Sequence, residues 1–151
     1  MSTLSGGAKL EEYLKEMARK VSNPGTLRVG FLEGATYPDG TPVPLVAAVQ
    51  EFGSPANGIP SRPYFRTMIA DKSLGWGDAI GSTLQATEYD AGKALALMGE
   101  GISGQLKESI IDFEGAPLSP ATVAAKGNEK QLVDTGHMLN SVAWDIEEAK
   151  A

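Results

Sequence analysis

The stretch from Ile80 to Phe113, IGSTLQATEYDAGKALALMGEGISGQLKESIIDF, decides the architecture. Within it Ile80, Leu84, Ala91, Leu95, Met98, Ile102, Leu106, Ile110 and Phe113 recur at a spacing close to one helical turn. A stripe sustained for over thirty residues predicts one long helix, about 78–113, with an apolar face wide enough to organise a domain. Gly92, Gly99, Gly101 and Gly104 lie inside that stripe, and each costs roughly 0.8 to 1 kcal/mol relative to Ala in a helix interior. Three readings of the glycines stand: a weakened helix, a true break, or a close crossing with another backbone, including one at a subunit contact.

On the N-terminal side, Leu10, Tyr13, Leu14, Met17, Ala18 and Val21 alternate with charged residues at three- and four-residue spacing and predict an amphipathic helix over 8–22. Asn23-Pro24-Gly25 stops it. Thr26 to Leu32 puts Leu27, Val29 and Phe31 on one side and Arg28 and Gly30 on the other, the pattern of a half-buried strand. The segment 34–44 carries three prolines and the turn pair Asp39-Gly40, and reads as a loop able to act as a contact arm through Tyr37 and Asp39. Pro44 suits the first turn of a short apolar helix that runs to Phe52 and stops at Gly53. A second proline-rich loop spans 54–63, and a helical pattern resumes from Tyr64 to Asp71.

Trp76, between Gly75 and Gly77, either folds back on the domain or meets a partner. Beyond the long helix, Ser119-Pro120 predicts a short helix ending at Gly127-Asn128, and Asp134 suits the cap of a helix through Thr135 to Ser141. Val142, Trp144 and Ile146 then alternate with polar residues as a closing strand. The ends, 1–7 and 148–151, are expected to be flexible, and the length of 151 residues fits one domain, 1–151.

Composition narrows the function classes. Without cysteine the chain has no disulfide framework, thiolate metal site or cysteine nucleophile, and its single histidine restricts metal chemistry further. No stretch approaches the ~20 apolar residues of a membrane span, and the start lacks a signal-peptide pattern, so a soluble protein made in a reducing cytoplasm is expected. A formal charge of −6 argues against gripping nucleic acid, since phosphate binding depends on clustered Lys and Arg. An acidic wall instead suits a conduit through which DNA slides. Arg62, Arg66 and Lys72 form a modest basic cluster that reads as a solvated or ion-paired surface.

The sharpest catalytic reading is Leu132-Val133-Asp134-Thr135-Gly136, which looks like an aspartic-protease loop. That chemistry needs two carboxylates sharing one proton. A homodimer would supply the second, but the fifteen residues after Gly136 are too few for the flap and cleft strands, and His137 stands where a small residue is expected. A helix-capping Asp explains the same residue more simply. His137 lacks a nucleophile to serve or a second His at ligand spacing and reads as a surface or helix-end residue. No cofactor is expected, and no catalytic residue is assigned. Tyr64 and Phe65, beside Arg62 and Arg66, read as core or interface anchors rather than a base-stacking platform.

Two phrases carry a resemblance: Leu45 to Gly53 running into Ile59-Pro60-Ser61-Arg62-Pro63-Tyr64-Phe65-Arg66, and Leu132 to Val142. The series resembles the tail-completion, or head-tail joining (neck), proteins of long-tailed bacteriophages. The resemblance implies an α+β domain with a small antiparallel sheet flanked by helices. It also implies a non-enzymatic virion protein forming a ring, six-fold, between the head connector and the tail tube or terminator, with DNA passing through. The proline-rich 34–44 segment and the glycines at 99–104 depart from that pattern. A tail-terminator or other minor tail role is the alternative, and an aspartic-type maturation protease a remote one. On the ring reading the expected contacts with a neighbour or adjoining ring are Tyr37, Asp39, Phe52, Arg62, Tyr64, Phe65, Arg66 and Trp76, with Arg62 and Arg66 meeting acids across the subunit boundary.

Overall fold

The computed structural model describes residues 6–22, 24–115, 124 and 136–150. The helix expected from Pro120 and the capping role expected of Asp134 lie outside these residues. The described chain is α+β: β1 (Thr26–Phe31) pairs antiparallel with β2 (Val142–Glu147), and helices pack around this ribbon. The helices are α1 (Gly7–Val21), α2 (Val43–Phe52), α3 (Tyr64–Lys72), α4 (Trp76–Ala86), α5 (Ala91–Asp112) and a single turn, His137–Asn140, that leads into β2. This last turn begins after Gly136, later than the expected start at Thr135.

A two-stranded ribbon is marginal alone and needs a helix against one face. Here α5, 22 residues and about 33 Å long, supplies it. In the register Val29 faces Trp144 and Arg28 faces Asp145. Alternation then sends Trp144 toward α5 and the Arg28 and Asp145 side chains to the opposite, outer face. There the guanidinium holds the carboxylate through two hydrogen bonds of 2.8 and 2.6 Å. This pairing holds the Asp145 carboxyl below the usual carboxylate range.

The long helix is shorter than its apolar stripe. Its N-terminal third is a separate helix, α4, because the chain turns back at Thr87–Asp90, where Glu88 and Tyr89 take left-handed φ values of 53° and 63°. Thr87 Oγ1 donates to carbonyls at the end of α4, including that of Thr83 at 2.9 Å, and Asp90 caps α5 by accepting from the Lys93 N–H at 3.0 Å. Trp76 at the start of α4 donates its indole N–H to Gln105 Oε1 at 2.9 Å, which makes α4 and α5 an antiparallel hairpin. Periodicity ran through the break because both helices turn apolar sides toward a shared interior.

None of the four glycines breaks α5. Gly99 marks a close approach: a Cβ placed there would lie 2.5 to 2.8 Å from the Trp144 ring. The indole of β2 thus sits directly on the helix backbone, and its N–H reaches Glu100 Oε1 at 3.1 Å. The core gathers at the other end of α5, where Leu106 and Ile110 meet Val43, Tyr64, Met68 and Val142.

Candidate functional site

The phrase from Val46 to Arg66 folds into an elbow between α2 and α3, and each of its residue types has a structural reason. Gly53 ends α2 at φ 76° and ψ 175°, a conformation reserved for glycine. A side chain there would also strike the backbone, with Ser61 N 2.7 Å and Ile59 O 2.9 Å from its Cβ. The loop then doubles back through paired bonds between Ser54 and Ile59. Arg62 ties it to α2 twice: its N–H donates to the Gln50 carbonyl at 2.7 Å and its guanidinium to Gln50 Oε1 at 2.8 Å.

Glu51 is the centre of the elbow. It is 5% exposed, an unusual state for a carboxylate, and its burial is compensated by a full set of donors. Its Oε2 accepts from the Phe65 N–H at 2.9 Å, and its Oε1 from the Arg66 N–H at 3.2 Å and from Arg66 Nε at 2.6 Å. The carboxylate therefore caps α3 from a different helix, where unsatisfied N–H groups and the helix dipole favour negative charge. Arg66 also lies over the Phe52 ring, 5.2 Å from its centroid. Tyr64 closes the interior side, donating its hydroxyl to the Ala47 carbonyl at 3.1 Å. Burial, with the Glu51 carboxylate adding to it, pushes that phenol's pKa up.

On its outer side the elbow opens into an apolar groove of about 260 Å³, walled by Phe31, Ala48, Phe52 and Phe65 with Tyr64 at the floor and Arg66 at the rim. Phe52 is 65% exposed and Leu45, on the same short helix, 57%.

The structure distributes the expected contact residues over three places. Phe52, Phe65 and Arg66 share the groove, with Arg62 at the base of the same elbow. Tyr64 is 1% exposed and belongs to the core. Arg66 finds its carboxylate in its own chain, on Glu51, and Arg62 finds Gln50. Both arginines shape the elbow within the chain. Tyr37 and Asp39 sit on the turn at 36–42, where Asp39 Oδ1 accepts from the Thr41 N–H at 2.9 Å, a bond that holds its carboxyl below the usual range. Trp76 folds back onto α5 and the core.

Two features lay beyond the sequence reading. His137 clamps the 34–44 arm: its Nε2 is 2.7 Å from the Thr36 carbonyl oxygen and its ring lies against Tyr37, centroids 4.7 Å apart. The other is α1, which has no buried residue although its apolar stripe is regular. Leu10, Tyr13 and Leu14 are 55 to 57% exposed. The sequence showed the stripe but carries no signal that none of the described residues would cover it.

Among the described residues no cluster of His, Asp or Glu could hold a metal ion, and no helix is long and apolar enough to cross a membrane. Comparison with protein families, with curated proteins and with solved structures finds no match to this chain.

Proposed function

We propose that this protein is a non-enzymatic structural subunit of a tailed-phage virion, joining the head connector to the tail as part of a closed ring through which DNA passes. The observation that carries the reading is the presence of two unlike apolar surfaces that none of the described residues covers: the convex face of α1 and the concave groove of the elbow. A ring requires heterologous contacts, in which each subunit presents one surface forward and a different one back. A self-complementary dimer would need only one. The resemblance of the elbow phrase to neck proteins supports the placement, and the negative net charge suits a conduit better than a DNA grip.

Deleting the encoding gene from its phage should give DNA-filled heads and separate tails in electron micrographs, with joining restored when the protein is supplied in trans. Normally joined particles would overturn the reading. Joined particles with tails of uncontrolled length would place the protein at the tail terminator instead.

A further inference from the structure

We infer that two copies of this chain exchange their N-terminal halves by opening the turn at Thr87–Asp90, so that α4 and α5 become one continuous helix and each half completes the core and sheet of the other copy. The inference stands apart from the virion reading, because the exchange uses only contacts that already hold a single subunit together.

The division of the fold comes first. One turn separates the chain up to Ala86 from the chain beginning at Ala91, and among the described residues the buried core is shared between the two sides. Val43, Ala47, Tyr64 and Met68 come from the first side, and Leu106, Ile110, Met138 and Val142 from the second. The sheet is divided in the same way, with β1 against β2. So are the ties around it: Ser109 Oγ donates to the Tyr64 carbonyl at 2.7 Å, Trp76 donates to Gln105, and Arg28 pairs with Asp145. Each side also has structure of its own, since the Glu51 elbow lies wholly in the first and the contact of Trp144 with Gly99 wholly in the second. A second copy therefore presents to each half the partners it has in its own chain, and no new docking surface is needed.

The turn is the only part that must change, and it is strained as it stands. Glu88 and Tyr89 hold left-handed φ values of 53° and 63° in succession, at a conformational cost that glycine would avoid. Hydrogen bonds impose the bend: the Tyr89 N–H donates to the Leu84 carbonyl at 2.6 Å, the Asp90 N–H to that of Thr87 at 3.1 Å, and Asp90 Oδ1 caps α5. Between Ser82 and Ala91 there is neither glycine nor proline, so nothing in the segment forbids helical geometry throughout. The apolar stripe from Ile80 and Leu84 to Ala91 and Leu95 keeps its phase across the break. Opened, the helix would run from Trp76 to Asp112, roughly 55 Å. A short hinge under strain is the setting that invites exchange.

Two such helices fit together without rearranging their contacts. In one copy α4 lies antiparallel on α5, with Trp76 on Gln105. In the exchanged pair α4 of each copy lies on α5 of the other in the same register, and the two hinge segments meet at a two-fold axis. The product is a closed dimer. Opening relieves the left-handed residues of both chains and adds helical hydrogen bonds, while it removes the Asp90 cap and the independent motion of two molecules. Dilute protein is therefore monomeric, and concentrated protein forms the exchanged pair. Passage between the two requires the shared core to come apart, so a dimer formed on refolding persists after dilution.

The absence of native cysteine makes the exchange visible. Arg28 and Asp145 face each other across the ribbon, at a separation a disulfide can span. Chains carrying Arg28→Cys and chains carrying Asp145→Cys are unfolded together, refolded at high concentration, oxidised, and sized by chromatography with light scattering. The expected product is a dimer linked between chains well above the background of either variant refolded alone, and it stays dimeric on dilution. A dimer without that link would show pairing through another surface and overturn the inference, as would a protein that stays monomeric after refolding at the highest concentration reached. In an otherwise native chain, Glu88→Gly with Tyr89→Gly eases the closed turn and weakens the continuous helix. It should lower the dimer-to-monomer ratio reached on refolding by at least about tenfold, with the circular dichroism of the monomer retained. An unchanged or raised ratio would overturn the hinge, and the exchange with it.

Discussion

The helices α1 and α2 flank the same strand and both show helical apolar spacing, yet their fates are opposite. In α2 every turn is engaged: Val43 and Ala47 are in the core, Glu51 caps the next helix, and Gly53 fixes the exit. In α1 the stripe is more regular and nothing among the described residues covers it. Amphipathicity therefore states that a helix has a face to bury, while the identity of the burying surface depends on where the connections let it go.

Substitutions can break this contrast in order of effect. The largest loss is expected for Glu51→Ala, which leaves two N–H groups of α3 and the Arg66 guanidinium without their acceptor. Breaking a buried ion pair costs about 3 to 5 kcal/mol, and the half-exposed Arg66 brings the expectation to roughly 2 to 3, measured by denaturant unfolding. Glu51→Gln should fall between this variant and the parent, since the amide oxygen still accepts. Gly53→Ala should cost about 2 kcal/mol from its backbone conformation and the clash with Ser61 and Ile59. A loss under about 0.5 kcal/mol for either residue would show that the elbow is less rigid than its bonds imply.

At Gly99→Ala two effects compete. Helix propensity gains about 1 kcal/mol, but the new methyl meets the Trp144 ring, and overpacking costs about 1 to 3 kcal/mol. A net loss near 1 kcal/mol is expected, with a change in tryptophan fluorescence as the indole shifts. Gain of stability would mean that the ribbon slides on α5 at little cost.

The Arg28 and Asp145 pair gives a pH-dependent test. Because the folded carboxyl is held below its ordinary value of about 3.9, its contribution is present above that value and is lost as pH falls through the depressed one. Acid unfolding of Asp145→Asn compared with the parent should show a stability gap at neutral pH that closes below about pH 4. A gap independent of pH would place the effect in packing. The smallest effect on the isolated domain is expected for Leu10→Asp with Leu14→Asp, within about 0.5 kcal/mol, as for surface changes. A large loss of monomer stability there would mean that α1 is covered by its own chain after all.

How much was legible differs by feature. The helix and strand assignments follow from period and punctuation: the alternation in Thr26–Leu32 and Val142–Ile146 marked both strands, and Pro44 and Gly53 bracketed α2 to within a residue. The break between α4 and α5 was missed because an antiparallel hairpin keeps both apolar faces inward, so the stripe continues through Thr87–Asp90; the Asp90 cap was its one local signal. Glu51 stands as a lone acid within an apolar helix, a setting that is itself a sign of a buried partner. Its donors lie fourteen and fifteen residues away, beyond any local pattern.

By itself the sequence determined both strands and the apolar faces of the helices, though not the break between α4 and α5, since these depend on backbone propensity, turn chemistry and the side-chain periods of helix and strand. It also determined the absence of thiol chemistry and the negative charge. Tertiary structure alone decided that the two strands from opposite ends of the chain pair, that Trp144 rests on Gly99, and that Glu51 caps α3. It also decided which amphipathic face none of the described residues covers. Such facts depend on contacts between residues far apart in sequence, where loop connections and excluded volume select one partner from many that the pattern would allow.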